Sequence, residues 1–202
     1  LFNKYKTKYT SSFNKRKMYF KSIRAYFFLI KHLKNLKIAD ELNVNSLEDL
    51  NRFLLMKDGS VCGVKDLGFG SQQLLTLILN ITVNLNEGSK AKIMMIEEPE
   101  SNLHPDRQLK LIDMLLDYQK NFDLEFILET HSEYVLRYYQ NLVSEGEIKS
   151  SDITINYFSE KGKVNQVTLR DDGVLSENIG RNFYSLSSTL LKRHVSVLRK
   201  NK

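Results

Sequence analysis

Two adjacent carboxylates, Glu97 and Glu98, close the apolar run Lys92-Ile93-Met94-Met95-Ile96 and stand directly before Pro99. Acidic groups at the point where a strand gives way to a loop can be partly desolvated without being buried. That suits them to hold a cation and to orient water against a phosphate. A plain surface turn explains an isolated Glu-Glu-Pro equally well. Upstream, Gly68, Phe69, Gly70, Ser71 and Gln72 precede an apolar stretch of helical length, Gln73 to Leu85. Glycines there let backbone amides approach an anion closely, and a helix offers its positive end to the same anion. Taken alone, Gly-Phe-Gly is a weak signal; its place just before the acidic pair gives it meaning.

The elements that must position these residues follow from hydrophobic spacing. Lys92 to Ile96 and Leu124 to Leu128 read as two buried strands, and Pro105 suits the first turn of a helix running through Leu109, Ile112, Leu115 and Leu116. Ser132 is placed to cap a further helix through Val135, Leu136 and Tyr139. The glycines at 68 and 70 sit where a helix starts, and Asn86 to Lys90 is a loop. Nearer the beginning, Ile23, Phe27, Ile30 and Leu33 predict an amphipathic helix over about 18 to 36. Arg52 to Met56 and Ser60 to Val64 predict a hairpin around Lys57, Asp58 and Gly59. Ile153 to Phe158 and Val164 to Leu169 alternate like a second hairpin. Asp171, Asp172 and Gly173 make a turn, and Tyr184 to Leu198 predicts a closing helix.

The bulk numbers bound the problem. The chain has 202 residues, 42% hydrophobic and 27% charged, the balance of one globular domain. No apolar run approaches the roughly 20 residues needed to cross a bilayer and nothing resembles a signal peptide, so no membrane partner and a cytoplasmic location are expected. Cys62, the single cysteine, reads as a small hydrophobe. The net charge of +6 is local: residues 1 to 37 hold eleven Lys or Arg and no acid, leaving 19 basic against 24 acidic residues elsewhere. Lys4, Lys6, Lys8, Lys15, Arg16, Lys17, Lys21 and Arg24, interleaved with Tyr5, Tyr9, Phe13, Tyr19 and Phe20, either attract a phosphate backbone or form a solvated helix face whose aromatics point inward.

In order along the chain, these motifs resemble those of ABC-type ATPases, specifically the branch holding SMC-like repair ATPases, OLD-family proteins and ATPases of anti-phage defence. Asp66 to Gln73 is similar to that branch's divergent signature motif, Ile93 to Glu98 to Walker B, Ser101 to Pro105 to the D-loop, and Phe126-Ile127-Leu128-Glu129-Thr130-His131-Ser132 to the switch-histidine strand. The resemblance covers about 60 to 140. It implies that Glu97 holds Mg²⁺ through water, that Glu98 polarises the attacking water, and that His131 reaches the γ-phosphate of ATP. It also implies that Gly68, Gly70, Ser71 and Gln72 meet the ATP of a partner subunit, with Ser101 and Asn102 in the D-loop, and that His104 is structural. Glu97 stands where transporters usually have Asp, and Gln72 takes a position often held by Ser or Gly.

No Gly-x-x-x-x-Gly-Lys-Ser/Thr phosphate cradle occurs, since Gly88-Ser89-Lys90 lacks the spacing and the order. The cradle is therefore expected upstream, and a start at Leu1 fits a piece of a longer protein. No downstream acidic cluster resembles the nuclease domain of OLD proteins, so any nuclease is a partner.

The expected fold is α/β: a partial ABC ATPase core of the P-loop NTPase kind, with flanking helices and a C-terminal β-hairpin plus helix. Residues 1–60 form a helical and hairpin region, 61–150 the signature, Walker B, D-loop and switch-histidine half, and 151–202 the completing hairpin and helix. The expected function is ATP binding and hydrolysis in a homodimer that sandwiches ATP and controls an effector acting on DNA or RNA. The rivals are a non-hydrolysing ATP-gated scaffold and a transporter's nucleotide-binding subunit.

Overall fold

The computed structural model describes residues 23–44, 53–57, 59–85, 92–159 and 162–177. The chain divides into two units, Leu1–Thr130 and His131–Lys202. The basic residues from Lys4 to Lys21, the 86–90 loop and the closing helix expected over 184–198 lie outside the described residues.

The first unit is a mixed α/β arrangement, as expected of part of a P-loop NTPase core. Helix α1 (Ile23–Asn35) buries Ala25, Leu29 and Leu33 at helical spacing. It stops where Lys37 turns left-handed at φ 54° and Ile38 N–H reaches back to the Leu33 carbonyl at 2.8 Å, satisfying a group the helix end leaves open. Strands β1 (Glu41–Val44), β2 (Phe53–Lys57) and β3 (Ser60–Gly63) form an antiparallel sheet with Val44 opposite Phe53 and Lys57 opposite Ser60. The β2–β3 hairpin is the expected one; β1 is an addition to it.

Helix α2 (Phe69–Asn84) starts at Gly68, whose carbonyl accepts from Ser71 and Gln72 N–H. It buries Leu74, Leu75, Ile78 and Ile81, each fully buried large side chain contributing about 1.5–3 kcal/mol. Helix α3 (Pro105–Phe122) has proline in its first turn and His104 as its N-cap, which also fits the structural role expected of His104. Helix α1 packs on both α2 and α3. Arg24 donates to Asn121 Oδ1 at 3.2 Å and Lys31 sits 2.5 Å from Asp117, so these two cations of the basic stretch face α3.

Strands β4 (Lys92–Glu97) and β5 (Leu124–Glu129) pair in parallel, joined through α3, with Lys92 opposite Leu124 and Glu97 opposite Glu129. One expectation needs correcting. The two runs read as buried strands, because parallel strands are ordinarily covered on both faces. Among the described residues one face is open instead, with Ile93 57%, Met95 78% and Ile127 53% exposed. The period of two along each strand puts these three side chains on the same side, where no described element covers them.

In the second unit, Ser132 Oγ accepts from Tyr134 and Val135 N–H and starts α4 (Glu133–Ser144), as expected. Strands β6 (Ile155–Phe158) and β7 (Val164–Val167) form the predicted hairpin, shorter than the alternation suggests because Ser150–Asp152 winds into a 3-10 turn and Leu169 pairs with Leu175 instead. Leu136 and Val167 make the core there, with Ile155, Tyr157 and Leu175 against them. No helix among the described residues is long and apolar enough to cross a membrane.

Candidate functional site

The C-terminal end of β4 is built from a left-handed turn and the hydrogen bonds that hold it. Glu98 N–H donates to the Glu129 carbonyl at 2.9 Å, extending the parallel ladder by one residue. The chain then turns away with Glu98 at φ 40°, a left-handed conformation costly for a residue with a Cβ. Asn102, at φ 60°, repeats the device four residues on, where asparagine tolerates it better. Ser101 N–H donates to the Glu98 carbonyl at 3.0 Å and Ser101 Oγ to Glu98 Oε2 at 2.8 Å, so the serine holds both backbone and carboxylate. Gln73, from α2, donates to the Glu98 carbonyl at 3.3 Å.

These residues line an open cleft of about 390 Å³ with Phe69, Gln73, Glu97, Glu98, Ser101, Asn102 and Glu129 on its walls. Three carboxylates share it. Glu97 and Glu129 are directly paired in the parallel register, an arrangement of like charges that is unfavourable unless something positive lies near. Among the described residues no three acidic, imidazole or thiol groups converge into a ready-made metal cage. Mg²⁺ does not need one, since it is usually held by one or two carboxylates together with phosphate oxygens and water. The all-oxygen donor set at the cleft fits such an ion.

The structure thus brings Glu97, Glu98, Ser101 and Asn102 together. Gly70 lies under the loop: a Cβ there would stand 2.7 Å from the Asn102 carbonyl oxygen and 2.9 Å from Leu103 Cδ2, so the start of α2 packs against the 99–103 loop only because position 70 has no side chain. Ser71 Oγ accepts from Arg107 at 2.7 Å and Gln72 donates to the Leu67 carbonyl at 2.7 Å, which keeps both beside α2 and out of the cleft lining. Gly68 is exposed at the N-cap. His131 is exposed and begins the second unit, directly after Thr130.

Sequence reasoning placed Phe69, Gln73 and Glu129 inside motifs without assigning them to the cleft, and missed Arg107 as the partner of Ser71. Glu129 had a visible signal, because both apolar runs end in a carboxylate and aligning those ends pairs them. The second unit carries another cleft of about 390 Å³, lined by Arg137, Gln140, Asn141, Ser144, Asp172 and Gly173. There Asp172 is held by Arg170 at 2.6 Å and by Val174 N–H, and Gln140 donates to the Gly173 carbonyl, so its polar groups serve the turn.

Residues 1–136 match a family model described as an AAA ATPase domain. Among solved structures, one concerning ATP-driven dimerization and DNA-stimulated activation of SMC ATPases is 11% identical with a TM-score of 0.47, covering 75% of this chain and 89% of that one. A second, an Smc head bound to the C-winged helix domain of ScpA, is 13% identical with a TM-score of 0.47, covering 75% of this chain and 40% of that one. No curated protein matches.

Proposed function

Since the chain belongs to the AAA ATPase domain family, we propose that the cleft at the end of β4 is the hydrolytic part of an ATP site. Family membership gives the general activity, nucleotide binding and ATP hydrolysis. The observation that carries the local assignment is the cluster of Glu97, Glu98 and Glu129 on one cleft, with Ser101 fixing the orientation of Glu98. Glu98 orients and polarises the attacking water, and Glu97 would hold Mg²⁺ through water. When bound, the ion neutralises charge on the phosphates. His131 donates to the γ-phosphate.

These 202 residues contain no Gly-x-x-x-x-Gly-Lys-Ser/Thr cradle for the phosphates. Gly68, Gly70, Ser71 and Gln72, at the start of a helix of 16 residues, meet the ATP of a second copy. Because Gly70 packs against Asn102 and Leu103, signature and D-loop present themselves to that copy as one piece. ATP closes the dimer and hydrolysis reopens it, and the cycle controls an effector acting on DNA or RNA in an OLD-like defence or repair assembly.

Glu98→Gln in the intact protein tests this. The amide keeps the side chain's size and an acceptor for Ser101 but lacks the charge that polarises water. Turnover should fall by roughly 10² to 10⁴ while nucleotide affinity and ATP-dependent dimerisation persist. Glu97→Gln should weaken nucleotide affinity as well. Parental turnover in Glu98→Gln would remove the catalytic role from Glu98, and an intact parent that binds ATP without turnover would favour the non-hydrolysing, ATP-gated scaffold.

A further inference from the structure

Two hydrogen bonds tie the loop after β4 to the end of β5. The first is the ladder bond from Glu98 N–H to the Glu129 carbonyl; the second runs from Thr130 Oγ1 to Glu100 Oε1 at 2.5 Å. Glu100 is 5% exposed, and a carboxylate taken that far from water is unfavourable unless hydrogen bonds compensate it. The local turn does not require this side chain, because Leu103 N–H bonds to the Glu100 backbone carbonyl, which any residue would supply. The side chain instead reaches Thr130, thirty positions along and immediately before His131. A hydrogen bond at that point ties the end of β5 to the loop after β4.

We propose that Glu100 and Thr130 form a latch that fixes the end of β5 and so positions His131, the residue that follows Thr130 in the chain. The proposal rests on His131 being the phosphate contact of the proposed ATP site. Glu100 and Thr130 are positioning residues and touch no substrate. When the latch is intact, Thr130 has one hydroxyl direction and His131 one starting geometry. Without it, the residue before His131 loses its tie to the loop after β4, and catalysis is sensitive to displacements of about 1 Å.

The test uses the intact ATPase and steady-state hydrolysis. Thr130→Val, near-isosteric but without a donor, should lower kcat by roughly 10²-fold with KM for ATP unchanged. Thr130→Ser, which keeps the hydroxyl, should recover most of that loss. In a His131→Ala background Thr130→Val should change turnover by less than about twofold, because residues acting through one another do not add. A parental kcat in Thr130→Val, or an equal loss with and without His131, overturns the latch while leaving the carboxylate site standing. Parental turnover in His131→Ala overturns the histidine reading itself and the latch with it, whereas Glu98→Gln still reports on the carboxylates. Should Thr130→Val fold poorly, Glu100→Gln retains an acceptor and should give an intermediate kcat with the same dependence on His131.

Discussion

The contact between α1 and α3 and the cleft at the end of β4 both gather ionisable side chains, and they treat them in opposite ways. In the helical contact, His32 is 3% exposed, its Nε2 is 2.9 Å from Asp117 Oδ2, and its ring lies beside Phe28 and Tyr118. Burial pushes its pKa down to about 4, with Lys31 adding to the shift and Asp117 opposing it. Burial also pushes the Tyr118 phenol well above its ordinary value, its hydroxyl 3.1 Å from Thr82 Oγ1. These groups are kept neutral and serve packing. At the cleft, Glu97, Glu98 and Glu129 are exposed and line one cavity, and Glu98 is held on a strained backbone. Buried, neutral titratable groups serve packing in the helical contact, whereas the exposed carboxylates of the cleft, with the strained turn at Glu98, are the ones proposed to act on phosphate.

The sharpest way to break this contrast is to remove apolar volume on the helical side. Leu33 is fully buried, so Leu33→Ala should destabilise the protein by about 2–5 kcal/mol, through lost transfer energy and the cavity left behind. Chemical denaturation should show this, while hydrolysis per folded molecule stays near parental. Glu98→Gln should do the reverse, slowing hydrolysis without moving the unfolding midpoint. A Leu33→Ala protein that is stable but inactive would mean that the helical contact serves the site directly.

The next effect is smaller and depends on pH. His32 titrates near 4 when folded and near 6.5 when unfolded, so the unfolded chain takes up the proton first as pH falls. Stability is therefore full above about 6.5, declines between 6.5 and 4, and loses at most about 3 kcal/mol from this group. His32→Gln should flatten that part of the profile in denaturation curves at pH 7 and pH 4.5. Alternatively, the His32 ring protons can be followed by NMR, and a midpoint near 6.5 in the folded state would contradict the buried, neutral assignment.

Much of this was legible beforehand, because it rests on local patterns. The apolar runs located β4 and β5, Pro105 and Ser132 located the starts of α3 and α4, and Gly68 located the start of α2. Strand β1 escaped because Glu-Leu-Asn-Val, although it alternates polar and apolar, is only four residues long, and its partner β2 begins nine residues after it ends. The open face of β4 and β5 escaped because an apolar run records what a strand can bury, not which covering element is present. The side-chain bonds Gln73 to Glu98, Arg107 to Ser71 and Thr130 to Glu100 join residues 25 to 36 positions apart, and no local pattern marks such pairs.

The smallest predicted effect separates strain from chemistry at a single position. Comparing Glu98→Ala with Glu98→Gly removes the carboxylate, and with it the Ser101 contact, from both variants, leaving the Cβ as the difference between them. In an ordinary strand or helix glycine is the less stable of the two by roughly 0.5–1 kcal/mol, because its unfolded chain is freer. At φ 40° the alanine Cβ crowds the backbone while glycine accepts the conformation. The order should therefore invert, with Glu98→Gly more stable than Glu98→Ala by about 1 kcal/mol in parallel urea denaturations. Both should be equally impaired in hydrolysis, since neither can polarise water. If alanine proves the more stable, the left-handed turn at Glu98 relaxes without its carboxylate, and the strain belongs to the Ser101 contact, not to the backbone path. If glycine is more stable and both are inactive, the fold maintains the left-handed turn against its local preference, and the carboxylate it presents to the cleft is the evident return.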